Sequence, residues 1–231
     1  MLFCSRFRSK FTCLHSVKYL LIPLIALMVS GCTTSDGYKI PKIPARAYQP
    51  TNVYSLGVIP ESMVRIALLP VMHPSDDEDI RSRSDLSVRS EFGKTRLFES
   101  VPVSRAYLDD QFGGTQFDSA ALLPDTLLER VKNDFGADGI LFVDLTHYDP
   151  YRPIAIGFRS KLVDLQDGEI IWVFDDLLDA GEPAVQSAVH KYAHEVQMER
   201  FPQDSADSML QSPTRFLRYV AHAAFDTLPK R

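Results

Sequence analysis

The first apolar run that reads as part of a folded core is "MVRIALLPV", residues 63–71. A run with almost no polar alternation is typical of a strand buried on both faces of a parallel sheet. An acidic stretch follows, and Val88 and Phe92 then lie on one face of a predicted helix at about 79–95. Carboxylates favour a helix N-terminus, so the acidic stretch fits the start of that helix. The stretch "LFESVPVS" predicts a short second strand.

The middle of the chain predicts a loop and then a second helix. Residues 105–120 contain the pair Gly113 and Gly114, and we expect a surface loop there. The segment "LPDTLLERVKNDFGADG" has helical spacing of apolar residues, with a proline suited to the first turn and a glycine suited to the C-terminal end. These positions are Leu127, Leu128, Val131 and Phe135, then Pro124 and Gly136.

Three strands in succession follow this helix and predict an antiparallel meander. They are "ILFVDLTHYD", "IAIGFRSKLVDL" and "EIIWVFDDLL", and the last two are joined by the turn Gln166-Asp167-Gly168. Alternation places one set of residues of the middle strand on a single face: Ile154, Ile156, Phe158, Ser160, Leu162 and Asp164. Helices are predicted at about 182–199 and 213–228.

This order of elements predicts an α/β (α+β) fold in a single domain, residues 62–231. The domain would contain one mixed sheet of about five strands, with a parallel part, a C-terminal antiparallel meander and helices packed against it. About 170 residues are enough for one compact core.

The N-terminal apolar run, "YLLIPLIALMV", has a different meaning. It is about half the length that a bilayer crossing requires, and four basic residues precede it with no acidic one. A basic start, a short apolar core and then small residues form a secretory signal peptide, which we assign to residues 1–31. Val29-Ser30-Gly31-Cys32 resembles a bacterial lipobox, so cleavage between Gly31 and Cys32 and lipidation of Cys32 are predicted. A signal-anchor with a chance cysteine is the alternative.

Signal removal changes the composition of the chain. The whole chain has 25 basic and 30 acidic residues, and loss of four basic ones leaves a net charge of −9. Such a balance disfavours nucleic acid as a partner, because nucleic-acid binding requires basic patches. Cys4 and Cys13 leave with the signal, and lipid occupies Cys32, so neither a disulfide nor thiol chemistry is expected in the folded part.

Residues 32–61 are predicted to be a tether, because prolines recur in this segment and favour an extended chain. The alternative is a segment that docks on a partner subunit, suggested by the interleaved residues Tyr38, Ile40, Ile43, Tyr48 and Tyr54. Thr33 follows the lipidated cysteine where an aspartate would favour retention. The sorting rule of enteric bacteria then predicts the outer membrane, with the domain facing the periplasm.

No motif predicts a catalytic, metal or cofactor site. His190 and His194 are four residues apart on a predicted helix, but the sequence signals no third ligand nearby. The acidic stretch 75–79 lacks the spaced ligands of a calcium loop, and helix capping explains it. Asp175 and Asp176 are adjacent on a strand, so their carboxylates would point to opposite faces.

Partner contact is predicted for the turn "HYDPYRP" and for the single tryptophan. Tyr148, Tyr151 and Arg152 crowd this turn, and exposed aromatic residues with arginine are typical of interface hot spots. Trp172 lies on a predicted hairpin strand, where it either joins the core or points outward as an interface anchor.

Four segments in this order resemble one group of periplasmic lipoproteins: "RIALLPV", "FESVPVS", "FGADGILFVDLTHYD" and "KLVDLQDGEIIW". The group includes the curli-secretion lipoprotein CsgG, the polysaccharide lipoprotein PelC, the activator LpoB and the N-terminal domain of TolB. The resemblance implies a non-enzymatic adaptor, activator or ring component, and it offers no catalytic residues to transfer. Pore formation is not expected, because the strand connections at 149–153 and 166–168 are too short.

Together these features predict a non-enzymatic outer-membrane lipoprotein that acts as an adaptor or oligomeric accessory component in envelope assembly or export. Its partners would be the membrane, through the lipid at Cys32, and envelope or secretion proteins or further copies of itself. A periplasmic enzyme with an unrecognised carboxylate or histidine site is the alternative, as is a structural surface lipoprotein.

Overall fold

The elements of the domain are taken from a computed structural model that describes residues 46–197 and 205–231. In chain order they are β1 (Val53–Ser55), β2 (Arg65–Leu68), α1 (Glu78–Lys94), β3 (Glu99–Pro102), α2 (Arg105–Phe112), α3 (Leu127–Phe135), β4 (Gly139–Asp149), β5 (Ala155–Asp164), β6 (Ile170–Asp179), α4 (Pro183–Tyr192), a π-helical turn (Ala193–Gln197), α5 (Ala206–Met209) and α6 (Pro213–Phe225).

The strands form one open mixed sheet in the order β1-β6-β5-β4-β2-β3. β2 is parallel to both β3 and β4, whereas β4, β5 and β6 form the predicted antiparallel meander. The α/β fold in a single domain with a mixed sheet is therefore confirmed. The sheet has six strands rather than about five, and the additional strand is β1.

The presence of β1 shows that the tether ends earlier in the chain than predicted. Val53–Ser55 pairs antiparallel with β6, although the sequence placed all of residues 32–61 in the tether. Further along the same segment, Ile59 is buried in the core. A strand of three residues between prolines has too short an alternation to be recognised from sequence. Residues 32–45 lie outside the described part of the chain.

The predicted first helix is confirmed as α1, and its N-terminus explains the acidic stretch. The Asp77 side chain accepts hydrogen bonds from the backbone N–H groups of Asp79 and Ile80, at 2.9 and 3.2 Å. Val88 and Phe92 are buried on the same face of the helix, as their spacing predicted. The carboxylates of this stretch therefore begin a helix, as helix capping requires.

Residues 105–120 are not simply a loop, because their first half forms α2. The Ser104 hydroxyl accepts a hydrogen bond from the N–H of Tyr107, and the helix ends at Gly113 in the left-handed conformation, with φ of +70°. Leu108 is the only fully buried residue of this helix. One buried position in eight gives no recognisable helical period, so the sequence prediction of a loop was wrong here.

Helices cover the two faces of the sheet to different extents. On one face α1, α4, α5 and α6 pack over the larger core, which includes Leu141, Phe158 and Trp172. On the other face α2 and α3 cover a smaller core around Ile140 and Phe142. The predicted face of β5 lies in the larger core, and all six of its residues are buried.

The C-terminal helices follow the prediction with two differences. The helix predicted at 182–199 ends as α4 at Tyr192 and continues as the π-helical turn Ala193–Gln197, whereas residues 198–199 lie outside the described chain. The short α5 was not predicted. α6 matches its prediction and packs on α1, where the Phe92 and Phe225 rings lie 5.3 Å apart. None of the helices in the described residues is both long enough and apolar enough to cross a bilayer.

Candidate functional site

The second face of the sheet carries a row of side chains along β1, β6 and β5 that lies beside, rather than under, α2 and α3. Directly paired residues of neighbouring strands point to the same face. The register pairs Tyr54 with Val173 and Val173 with Lys161 in one row, and Asp175 with Arg159 in the next. Leu177, opposite Gly157, begins a third row. We call this surface the open face: Tyr54, Arg159, Lys161, Val173, Asp175 and Leu177.

Two large apolar side chains of the open face are exposed. Tyr54 is 52% exposed and Leu177 is 57% exposed, while Val173 between them is half-buried. Isolated exposed apolar residues are ordinary, but two exposed apolar side chains and one half-buried apolar side chain on one sheet face form a patch. The open face can therefore bury apolar area against another surface.

Arg159 is the electrostatic centre of the open face. Its Nε donates a 2.8 Å hydrogen bond to the Asp175 carboxylate, and its guanidinium lies 3.9 Å from the Asp118 carboxylate. The hydrogen bond to Asp175 raises the pKa of Arg159, so this side chain stays charged. Beside it, Lys161 donates a 2.7 Å hydrogen bond to the Ser119 carbonyl. These bonds fix the positions of both long side chains.

The border of the open face is a buried carboxyl group on β4. Asp144 is 1% exposed and accepts hydrogen bonds from the backbone N–H and from the hydroxyl of Ser119. Burial raises the pKa of Asp144 to about 6, although the two hydrogen bonds from Ser119 act in the opposite direction. This contact attaches the loop between α2 and α3 to the sheet.

A glycine keeps the centre of the sheet free of a side chain. A Cβ atom on Gly157 would contact the Thr146 hydroxyl oxygen and would lie 3.0 Å from the His147 backbone nitrogen. Thr146 is the extra residue of a β-bulge between Leu145 and His147. Glycine at this position therefore permits the close approach of β4 at its bulge.

The predicted contact turn is only partly exposed. Tyr151 is 80% exposed and Arg152 is also exposed. Tyr148 is half-buried, and its ring centroid lies 4.5 Å from that of His73 in an edge-on contact. Burial raises the pKa of Tyr148, so its hydroxyl stays protonated at neutral pH. The turn thus presents Tyr151 and Arg152 to solvent, whereas Tyr148 packs inward.

Trp172 lies in the core and not on a contact surface. It has no exposed area, and its indole N–H donates a 2.9 Å hydrogen bond to the Thr227 hydroxyl just after α6. Pairing with Leu162 puts Trp172 on the core face of the sheet. The sequence left open whether Trp172 joins the core or points outward, and the structure places it in the core.

The remaining candidate residues are separate from one another. His190 and His194 are exposed on α4 and the π-helical turn. Asp176 accepts a 2.6 Å hydrogen bond from the Tyr48 hydroxyl on the core face, so it does not converge with Asp175, as predicted. In residues 46–197 and 205–231, His, Cys, Asp and Glu side chains form no group of three or more that could hold a metal ion.

Arg159 and Leu177 were not identified from the sequence as site residues, and Tyr54 was named only in the alternative prediction that the tether segment docks on a partner subunit. A partial signal existed in β5, where Arg159 and Lys161 alternate with the apolar face. Alternation identifies which residues point away from the core, but it does not show whether a helix covers them. Tyr54 could not be placed without β1.

No protein-family model matches the chain, and no curated protein matches it. Among solved structures, the chain is similar to the lipoprotein GNA1162 from Neisseria meningitidis, with 17% identity, 61% of this chain and 98% of that chain covered, and a TM-score of 0.40. It is similar to the PelC dodecamer from Paraburkholderia phytofirmans, with 9% identity, 78% and 98% covered, and a TM-score of 0.44. It is also similar to the LpoB C-terminal domain from Escherichia coli, with 17% identity, 50% and 82% covered, and a TM-score of 0.36.

PelC and LpoB are both in the lipoprotein group that the sequence resembles. At these identities and TM-scores, the likeness transfers no function from those proteins to this chain. The functional proposal therefore depends on the residues of the chain itself.

Proposed function

We propose that the chain is a non-enzymatic outer-membrane lipoprotein whose periplasm-facing domain binds a partner protein of the cell envelope through the open face. Its role would be that of an adaptor or accessory component in envelope assembly or export. Lipid at Cys32 would hold the domain near the membrane, as the lipobox 29–32 predicts.

The observation that carries this proposal is the composition of the open face. Protein interfaces are enriched in tyrosine and arginine at their hot spots, and their centres are apolar with a polar rim. The open face combines exposed Tyr54 and Leu177 with an Arg159–Asp175 pair that is already oriented by its own hydrogen bond. Little side-chain freedom remains to be lost at Arg159 when a partner binds, which reduces the entropy cost of association.

A lipid anchor strengthens such a contact without adding any new interaction. Several acyl chains bind a membrane far more firmly than one, so the domain would stay at a single surface. Confinement raises the effective concentration of the domain for a neighbouring envelope protein. The exposed Tyr151 and Arg152 would provide a second, smaller contact.

Site-specific photo-crosslinking in intact cells tests the open face. A photoreactive residue replaces Leu177 in one strain and Ser82 in another, and captured proteins are identified by mass spectrometry. Both positions are exposed, but Ser82 lies on α1, which packs on the other face of the sheet. We expect a defined adduct with an envelope protein from position 177 and not from position 82.

Two further strains test the chemistry of the contact. Leu177→Asp places an uncompensated charge in the apolar patch and should reduce capture from a photoreactive residue at position 54 by about tenfold or more. Cys32→Ala should abolish lipid labelling and release the protein from the membrane. If the only adducts joined two copies of this protein, a homo-oligomer would replace the proposed adaptor. Equal capture from positions 177 and 82 would contradict the proposal.

A further inference from the structure

A separate pocket lies at the carboxyl ends of the parallel strands β2 and β3. Its volume is about 280 Å³, and it lies between the ends of these two strands and the middle of α1. Crevices at the carboxyl ends of parallel strands are the usual ligand sites of α/β sheets. The pocket is distinct from the open face, because α1 packs on the core face of the sheet.

The walls of the pocket are mainly aliphatic. Val71 and Val88 are fully buried, Val103 is nearly so, and Leu86 lies at the exposed side. A pocket of this size is just below the range of about 300–1,000 Å³ that holds drug-sized ligands. It therefore has room for one branched or short linear alkyl group.

One carboxylate lines the pocket, and it is fully engaged within the fold. The Asp85 carboxylate accepts hydrogen bonds from Arg105 Nη2 at 2.9 Å and from the Val71 N–H at 2.8 Å. Arg105 also donates to the Val71 carbonyl at 3.1 Å. This pair connects α1 to the start of α2 and contributes no net charge.

Arg89 supplies the unbalanced charge. It lies four residues after Asp85 on α1, lines the pocket and is exposed. Within the described part of the chain, Arg89 is in none of the ion pairs. An aliphatic pocket with one uncompensated guanidinium at its edge is complementary to an alkyl group that carries a negative charge.

We propose that this pocket binds a small apolar carboxylate, with the alkyl group between α1 and the strand ends and the carboxylate beside Arg89. Two sources share this chemistry: the C-terminal apolar residue of a peptide, and a short fatty acid. Binding at this site requires neither the open face nor its partner, so the two proposals can fail independently.

Titration of the full-length mature protein in detergent, followed by methyl NMR, tests the pocket. The probes are N-acetyl-leucine and N-acetyl-leucinamide, which differ only in the charged group, and octanoate. We expect N-acetyl-leucine to shift the methyl signals of Val88 and Val103 with a dissociation constant on the order of 1 mM. The amide should bind at least about fivefold more weakly, because it lacks the charge that pairs with Arg89. Tighter binding of octanoate than of N-acetyl-leucine assigns the fatty-acid source, and the reverse order assigns the peptide source.

Matched variants distinguish specific binding in this pocket from nonspecific association of the probe with the protein. Arg89→Ala should lower the affinity for N-acetyl-leucine to that for the amide, and Arg89→Lys should restore part of it. Arg83→Ala removes another exposed arginine of α1 outside the pocket and should change nothing. Leu177→Asp should also leave this binding unchanged. Equal affinities for acid and amide, or the absence of shifts at Val88 and Val103 at about 20 mM probe, would overturn the proposal.

Discussion

At the residue scale, Asp144 is the side chain whose charge state most affects the fold beside the open face. The carboxyl is buried and receives two hydrogen bonds from Ser119, which attach the loop between α2 and α3 to β4. Its pKa is raised from 3.8 to about 6, chiefly by burial. The folded protein therefore binds a proton at Asp144 more tightly than the unfolded chain does.

This difference predicts a pH-dependent effect of Asp144→Asn. Because the pKa in the folded state is raised, the protonated carboxyl favours folding below pH 4, and this contribution is lost as the pH rises through about 6. Asparagine does not titrate. Between pH 4 and pH 7 the free energy of unfolding of the wild type should fall by about 2 kcal/mol relative to that of the variant.

Urea unfolding of both proteins at pH 4, 5, 6 and 7 measures this difference. Asp125→Asn, which removes an exposed carboxylate from the same loop, serves as the control for the loss of a surface charge. A difference between wild type and Asp144→Asn that stays constant from pH 4 to pH 7 would show that the carboxyl has an ordinary pKa in the fold.

At the element scale, β1 is attached to the domain by its pairing with β6, and the segment before β1 is attached by Tyr48. The backbone N–H of Tyr48 donates to the Ala184 carbonyl at 2.9 Å, and its hydroxyl donates to Asp176 at 2.6 Å. Burial, reinforced by the hydrogen bond to Asp176, raises the pKa of Tyr48, so the hydroxyl remains a donor. The described end of the predicted tether, residues 46–61, thus docks on its own chain.

Tyr48→Phe should loosen β1 without unfolding the domain. Loss of one hydrogen bond to a carboxylate costs about 1–3 kcal/mol, and edge elements open independently of the core. We expect hydrogen exchange of the Leu56 amide, which donates to the Ile171 carbonyl, to be at least about fivefold faster. Tyr54→Phe, which removes an exposed hydroxyl from β1 itself, is the matched control. Unchanged exchange at Leu56 in Tyr48→Phe would mean that pairing with β6 alone holds the segment.

Long helices and strands were predicted from the sequence more accurately than short ones, because a long element repeats its hydrophobic period more often. The meander β4–β6, α1 and α6 each repeat a period over ten or more residues, and all were found at nearly the predicted places. β1 and α2 were missed because three strand residues, or one buried residue in Leu108, do not establish a period. The open face was missed for another reason. Exposure of Leu177 depends on where α2 and α3 pack, and alternation within β6 contains no information on that.

At the scale of the whole molecule, docking of Tyr48 would limit how far the domain can lie from the proposed lipid anchor at Cys32. Tyr48 lies sixteen residues after Cys32, and an extended chain spans at most about 3.3–3.6 Å per residue, or about 55 Å in total. A tether that continued to residue 61 would reach nearly twice as far. The open face would therefore meet only partners that are close to the membrane.

This limit predicts an asymmetric response to tether length. Deletion of residues 34–41 would halve the maximum reach to about 28 Å, and we expect capture from position 177 to fall by about tenfold as the domain can no longer reach its partner. Insertion of eight Gly/Ser residues at the same place should lower capture less than twofold, because loop entropy rises only slowly with length. The measurement is the yield of the crosslinked adduct in intact cells, normalised to protein level.

The same two changes in a Cys32→Ala background distinguish reach from any other effect of the deletion. An unanchored domain diffuses to its partner irrespective of tether length, so its weaker capture should be equal for the deletion, the insertion and the parent. If the deletion reduced capture equally with and without the anchor, the segment itself would contact the partner, as the alternative reading of Tyr38 and Ile40 suggests. If it reduced capture in neither background, the lipid would not set the position of the domain, and the anchored-adaptor proposal would lose its physical basis.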